Sequence, residues 1–326
     1  MTDRAGNKVR NLVFAVDLGG THLRVALVDH TGRILTHHKR DTPKTNDPGD
    51  IVRALVDALH DCCCSSGIEA RSMYSASIMV PGTVDKNYEV VVQVPNLPCL
   101  NNVGLKAILE DELGWSILLD NDANAAAVGE MWLGAARGYR SVICVTLGTG
   151  VGGGIILDGR LWRGADGTAG EIGHTTVDPF GELKCKCGNT GCLEMFASAT
   201  AIVRMACAEL AGDSKSILQG EELSARKVYE AGLQRDALAL EVLKKMGTFL
   251  GIGLANLINL LNPEIIVIGG GVANSWTLFE RDMWQQVAER AFPSLVDRVK
   301  IVPAECGDNA GLLGAARLAF DKLQIL

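Results

Sequence analysis

Thr146-Leu147-Gly148-Thr149-Gly150-Val151-Gly152-Gly153-Gly154 is the stretch on which the reading of this chain turns. Val142 to Leu147 is an apolar, β-branched run that reads as a strand, and Ile155 to Leu157 reads as another. The glycines from 148 to 154 therefore read as a turn between two strands. Gly148, Gly150 and Gly153 satisfy the spacing of a dinucleotide fingerprint, but their context rejects it. Such a turn must open a helix whose N-terminus meets the pyrophosphate, whereas Gly154 leads into Ile155-Ile156-Leu157-Asp158-Gly159, a short strand and another turn. No Gly-Lys-Ser/Thr follows, so a Walker loop fails as well.

The same pattern stands near the start of the chain. Leu12 to Asp17, His22 to Val28 and Arg33 to His38 read as a strand meander, and Asp17-Leu18-Gly19-Gly20-Thr21 forms its first turn. Glycine there lets backbone amides approach a phosphate, Thr21 adds a hydroxyl and Asp17 can hold a hydrated Mg²⁺; a plain hairpin turn explains the glycines equally well. Between the two turns the order is helix (Asp47 to Cys64), strand (Ser75 to Val80), helix (Asn102 to Leu113), strand (Ser116 to Leu119) and helix (Asn121 to Trp132). Beyond them come helices at Ala199 to Leu210, Leu223 to Leu233 and Leu238 to Leu261, a strand at Glu264 to Ile268 ending in Gly269-Gly270-Gly271, and a last helix beginning near Asn309. The chain reads as two pseudo-repeated α/β halves facing a cleft, with a phosphate chain clamped by a glycine turn from each side.

Composition narrows the class of function. At 326 residues the chain exceeds what one core fills efficiently, which predicts two domains or one large interrupted one. A 48% hydrophobic fraction, 5% aromatic residues and 37 glycines suit an α/β enzyme. The net charge of -7 removes the general attraction to nucleic acid or anionic lipid, so neither is expected as a partner. Residues Met1 to Asn11 are polar and basic, and the apolar run behind them is too short for a signal core, so a cytoplasmic location is expected. Met246 to Leu261 is apolar but carries Asn256 and Asn259, which predicts a buried helix in place of a membrane span. In a reducing cytosol the ten cysteines read as thiols or metal ligands before disulfides, and Cys62, Cys63 and Cys64 read as structural.

Five ordered motifs spanning nearly the whole chain resemble the ROK family of the actin-like ATPase and sugar-kinase superfamily. They are Asp17 to Thr21, Asn121-Asp122-Ala123-Asn124-Ala125, Thr146 to Gly154, Glu171-Ile172-Gly173-His174, and Cys185-Lys186-Cys187-Gly188-Asn189-Thr190-Gly191-Cys192-Leu193-Glu194. Among the family's members, the bacterial ATP-dependent glucokinases are most similar. The resemblance implies an α/β actin-like ATPase (ribonuclease H-like) fold with two α/β domains around a central cleft. The expected division is a smaller domain of residues 1–120 plus 306–326 and a larger one of 121–305.

The implied reaction is transfer of the γ-phosphoryl group of ATP to a hexose, with glucose and its 6-hydroxyl favoured. Asp122 is implied as the catalytic carboxylate that takes the proton of the attacking hydroxyl; on local grounds alone it reads as an N-cap for the following helix. The resemblance places Gly82, Asn96, Asn121, Asp122, Glu171, His174 and Glu194 against the sugar. It places Asp17, Gly19, Gly20, Thr21, Gly148, Thr149 and Gly150 around the phosphates and Mg²⁺, and Gly270, Gly271 and Asn309 at the adenosine. N-acetylmannosamine, N-acetylglucosamine, fructose or allose as acceptor, and polyphosphate as donor, stay open. So does a sugar-responsive transcriptional regulator, which in this family carries a winged helix-turn-helix ahead of the same body. A homo-oligomer, dimer or tetramer, is expected by analogy.

Cys185-x-Cys187-x₄-Cys192 puts three thiols within eight residues, and His174 precedes them by eleven. That Cys₃His set suits a closed structural Zn²⁺, and the resemblance points to the same four ligands; the other reading is a disulfide. Because His174 and Glu194 flank this knuckle, the metal is expected to hold sugar-binding groups in place.

Overall fold

In a computed structural model the described residues are 11–68, 73, 75–212 and 215–325, so almost all of the polar, basic start of the chain lies outside them. Strands β1 (Leu12–Leu18), β2 (His22–Asp29) and β3 (Ile34–Asp41) form an antiparallel meander. β4 (Ser75–Val80) joins β1 in parallel, a hairpin of β5 (Thr83–Val84) and β6 (Val91–Gln93) follows, and β7 (Ser116–Asn121) joins β4 in parallel. The first sheet is thus ordered β3-β2-β1-β4-β7.

The second half repeats this plan. β8 (Val142–Leu147), β9 (Val151–Leu157) and β10 (Arg160–Leu161) form a meander, and β11 (Ile265–Gly269) and β12 (Lys300–Pro303) add in parallel to give the order β10-β9-β8-β11-β12. Position for position and direction for direction, the two sheets match, which is the pseudo-repeat the glycine turns predicted.

Apolar periodicity sets the helices around these sheets. α1 (Pro48–Ser66), capped by the Asp47 carboxylate on the amide of Gly49, and α2 (Leu105–Leu113) cover the outer face of the first sheet. α3 (Asp122–Leu133) and, at the chain's end, α10 (Ala310–Lys322) lie between the sheets: α10 shares a core with β1, β2 and β4, and α3 shares one with β8, β9 and β11. The outer face of the second sheet carries α4 (Glu194–Ala197), α5 (Ala199–Leu210), α6 (Ala225–Leu233), α7 (Ala237–Leu261), α8 (Trp276–Arg290) and α9 (Pro293–Val296). α7 contains the apolar stretch and buries Leu243, Met246, Leu250, Leu254 and Ile258 completely. Its Asn259 accepts from the amide of Phe292 and donates to the carbonyl of Arg290, closing the end of α8. Among the described residues no helix is long and apolar enough to cross a membrane.

The structure corrects the reading of the glycine run. Only Gly148, Thr149 and Gly150 make the turn; Gly152, Gly153 and Gly154 belong to β9. Their cause is close packing. A Cβ on Gly154 would lie 2.7 Å from the carbonyl oxygen of Ala123, and one on Gly152 would lie 2.9 Å from Ala123 Cβ, so only glycine lets the first turn of α3 rest on the strand. Helix α8 and strand β12 escaped the sequence reading. Phe279, Met283 and Val287 carry helical spacing in α8, and β12 is four residues long, too short for a pattern.

Candidate active site

Asp17 ends β1, Asn121 ends β7 and Gly82 follows β4, so the first sheet delivers all three to the carboxyl ends of its parallel strands. Asn121 is the N-cap of α3: its Oδ1 accepts from the amides of Ala123 (2.9 Å) and Asn124 (3.1 Å), and its Nδ2 donates to the carbonyl of Gly82 (2.9 Å). The capping role considered for Asp122 therefore belongs to Asn121. Asp122 becomes the first helical residue, with its Oδ1 accepting from the amide of Ala123 at 2.8 Å. Loss of solvation foremost, then repulsion from Asp17 and Glu171, pushes its carboxyl up to about 7.

Asp17 pairs directly across the sheet with Arg24. The Arg24 guanidinium grips it through Nε (3.1 Å) and Nη2, both on Oδ2, while Nη1 donates to the carbonyl of Asp308 at 2.6 Å. This arginine draws the start of α10 to the site: the α-carbon of Gly311 faces Asp17, and Asn309 stands one residue beyond Asp308. Both bonds fall on Oδ2, so the donor set fits a hydrated Mg²⁺ reached through Oδ1.

The first turn closes with the amide of Gly19 on the carbonyl of His22 (2.8 Å), and the second with the amide of Gly148 on the carbonyl of Gly150 (2.9 Å). α5 braces the second turn, since the amide of Ala199 and the hydroxyl of Thr200 donate to the carbonyls of Gly148 and Thr149, both at 2.8 Å. Gly270, with φ 83° and ψ 170°, occupies a region open to glycine alone and sits against the end of β8, where a Cβ would lie 2.7 Å from the carbonyl carbon of Leu147. It thereby joins the second turn, and Gly271 beside it faces open space.

The residues assigned to sugar fall into three groups. Gly82, Asn121 and Glu171 line one pocket between the halves, together with Asp120, Asn124 and Gly153. Asn96 lines a neighbouring pocket with Gly20, whose missing side chain lets Asn96 approach. Glu194 accepts from the amide of Val151 at 2.9 Å and crowds the α-carbon of Gly150, so it also bolts the second glycine turn to the knuckle. His174 faces both ways: its Nε2 lies 3.7 Å from the Glu171 carboxylate and its Nδ1 lies 3.6 Å from Cys185 Sγ.

The ligand atoms of His174, Cys185, Cys187 and Cys192 all lie within 4.8 Å of one another. Tetrahedral zinc with sulfur ligands near ~2.3 Å requires sulfurs about 3.8 Å apart, and Cys187 and Cys192 stand 3.7 Å apart. No disulfide joins these cysteines in the structure, and the convergence of three sulfurs and one imidazole nitrogen is a donor set that fits zinc.

Three functional candidates escaped the sequence reading. Arg24 was hidden in a strand, Arg163 in a glycine-rich loop, and Asp120 beside the more conspicuous Asn121-Asp122. Asp120 did carry a signal, since a carboxylate inside a buried strand demands a partner. It is 2% exposed and takes a forked bond from Arg163, Nη2 at 2.6 Å and Nε at 3.2 Å.

Comparison with known proteins agrees with this geometry. The chain is 35% identical over 316 residues to a glucokinase of Thermotoga maritima, covering 95% of this chain and 98% of that one. It is 32% identical over 321 residues to a putative xylose repressor of a Caldicellulosiruptor species, covering 97% of this chain and 80% of that protein. A ROK family glucokinase from Streptomyces griseus, solved in complex with glucose and AMPPNP, superposes with a TM-score of 0.80 at 34% identity, covering 95% and 99% of the two chains. The actin-like ATPase fold of such glucokinases is the fold seen here. Residues 13–322 match the ROK family as a whole, and this chain belongs to that family.

Proposed function

We propose that the protein is an ATP-dependent hexose kinase that phosphorylates the 6-hydroxyl of glucose. The observation that carries this reading is Asp122: a carboxylate fixed in the first turn of α3, at the junction of both sheets, whose affinity for a proton is raised to about 7. A general base works best with a pKa near the operating pH. In the step proposed, Asp122 takes the hydroxyl proton as the sugar oxygen bonds to the γ-phosphorus and the bond to ADP breaks. Phosphoryl transfer asks the protein chiefly to position and to stabilise charge. Magnesium, held beside Asp17, would supply neutralisation of the phosphates.

Glu171, His174 and Asn96 are assigned to sugar hydroxyls. Asn121, with both lone pairs of Oδ1 committed to the helix, has one Nδ2 hydrogen left to offer. Gly19, Gly20, Thr21, Gly148, Thr149 and Gly150 are assigned to the phosphates, and Gly270, Gly271 and Asn309 to the adenosine. Zinc at His174, Cys185, Cys187 and Cys192 would hold the knuckle closed. Residues 1–120 with 306–326 and residues 121–305 are the two bodies that close on the sugar, in a cytoplasmic homo-oligomer. The S. griseus enzyme's glucose and AMPPNP support this choice of ligands, and the similarity to xylose repressors keeps a sugar-responsive regulator as the second reading.

The test incubates the protein with Mg-ATP and glucose, mannose, fructose, allose or either N-acetylhexosamine, following ADP and product mass. Preferred turnover of glucose is expected. Preference for an N-acetylated sugar would keep the chemistry and change the acceptor; sugar binding without any turnover would favour the regulator.

A further inference from the structure

The pocket that holds Gly82, Asn121 and Glu171 has a wall that none of the assigned ligands explains. Asp120, at the end of β7, is buried and receives the Arg163 fork from the loop behind β10. The same carboxylate accepts through Oδ1 from the amide of Asn121 (2.8 Å) and from Nδ2 of Asn124 (3.0 Å). One charged group thus fixes the turn that presents Asn121 and Asp122. Arg163 is fixed in return. The ring of Tyr88 lies 5.1 Å from its guanidinium carbon, and its carbonyl accepts from the amide of Ala169 at 3.1 Å. The loop so formed runs through Gly170, whose φ of 98° is open to few residues but glycine, directly into Glu171. Arg163 therefore touches, through one side chain and one carbonyl, the two segments that must meet around the acceptor, one at the end of the first sheet and the other in the loop behind β10.

We infer that Arg163 is a positioning residue for the acceptor sugar, holding the Asn121-Asp122 turn and the Glu171 loop in mutual register through Asp120. This rests on the kinase reading. A planar fork on one carboxylate oxygen defines orientation as well as distance, which a point charge does not. A displacement of about 1 Å in a reacting group costs about 10²-fold in rate.

A structural pair and a positioning pair separate in a double variant. Arg163→Met leaves Asp120 buried without its counter-ion and is expected to lower Tm. Asp120→Asn combined with Arg163→Met removes both charges and is expected to recover Tm. Stability and register then part: kcat/KM for glucose is expected to remain at least about tenfold down in the double variant, chiefly through a raised glucose KM, while the ATP KM changes little. Arg163→Lys, which keeps the charge and loses the fork, is expected to fall between. The same variants are followed by the hexose-induced rise in Tm, which reads the pocket without turnover. A double variant with wild-type glucose KM, in an active background, overturns the inference and leaves the kinase reading intact. A wild-type protein that neither binds nor phosphorylates any hexose overturns the kinase reading and this inference with it.

Discussion

Two strand pairs that occupy the same place in the repeated plan carry opposite chemistry. In the first half Leu18 faces Leu23, so Asp17 faces Arg24 and Ala15 faces Ala26. In the second half Leu147 faces Val151, so Thr146 faces Gly152 and Cys144 faces Gly154. Where one sheet holds an ion pair, the other holds a hydroxyl and a bare α-carbon. The difference follows from what lies over each. Arg24 reaches out to the turn before α10, whereas Gly152 and Gly154 admit the first turn of α3. A repeated scaffold has been divided between tasks: the first half contributes fixed charge, and the second contributes close backbone approach, a braced glycine turn and the thiol knuckle. Asp122 stands where the two meet.

The comparison breaks most decisively at Asp122. Asp122→Asn keeps the size of the side chain and the cap supplied by Asn121, so the fold is expected to survive. Turnover is expected to fall at least ~10²-fold, the low end of a positioned base. A near-normal kcat in folded protein would remove Asp122 from the reaction. The pH profile sharpens the point. Burial, Asp17 and Glu171 raise this carboxyl from its ordinary range to about 7. As the proposed base the group would act when ionised, so raising its pKa would move the loss of activity upward. kcat/KM for glucose is expected to be level above neutrality and to fall about tenfold per unit below pH ~7. A rate that stays level down to pH ~5 would mean that the proton goes elsewhere.

The second half's contribution is tested at the metal proposed for its knuckle. The knuckle holds His174 by one nitrogen while the other faces Glu171, and Glu194 follows Cys192 by two residues and grips the amide of Val151. Removing zinc with a chelator, checked by elemental analysis, is expected to lower Tm and to raise the glucose KM about tenfold or more together. Unchanged glucose affinity in demonstrably metal-free protein would reduce the knuckle to a fastening with no bearing on the sugar.

How far such a site is legible beforehand depends on what each residue answers to. The strand meanders and the knuckle are local, and residue type at short spacing specifies them; Asp122 stands out only through the family resemblance, and the cap that its local pattern suggests belongs to Asn121. Gly152 to Gly154 misled, because a glycine that frees a turn and a glycine that clears space for a helix look alike until the helix is in place. Arg163 and Asp120 are 43 positions apart, Arg24 and Asp308 are 284 apart, and no local pattern joins them. What the repeat does not specify is which half carries the charge, since that depends on how α3 and α10 lie between the sheets.

The subtlest test of that division exchanges a single atom. Gly154 is the second-half counterpart of Ala26, so a scaffold repeated in detail as well as in plan would accept alanine there. Its φ lies outside the positive range, and an alanine pays no backbone strain. On chain entropy alone the substitution would stabilise by about 0.4–1 kcal/mol. Packing opposes it: the new methyl would stand 2.7 Å from the carbonyl oxygen of Ala123 and 2.5 Å from Ala127 Cβ, both in α3. Crowding of this kind costs about 1–3 kcal/mol, so Gly154→Ala is expected to be net destabilising in thermal or urea unfolding. Gly104→Ala supplies the control, with φ -74° and nothing within 4 Å of its added methyl, and should show no comparable loss. If Gly154→Ala instead matches the control, α3 is not seated on β9 as closely as described. The contrast between the halves would then rest on the Asp17–Arg24 pair alone.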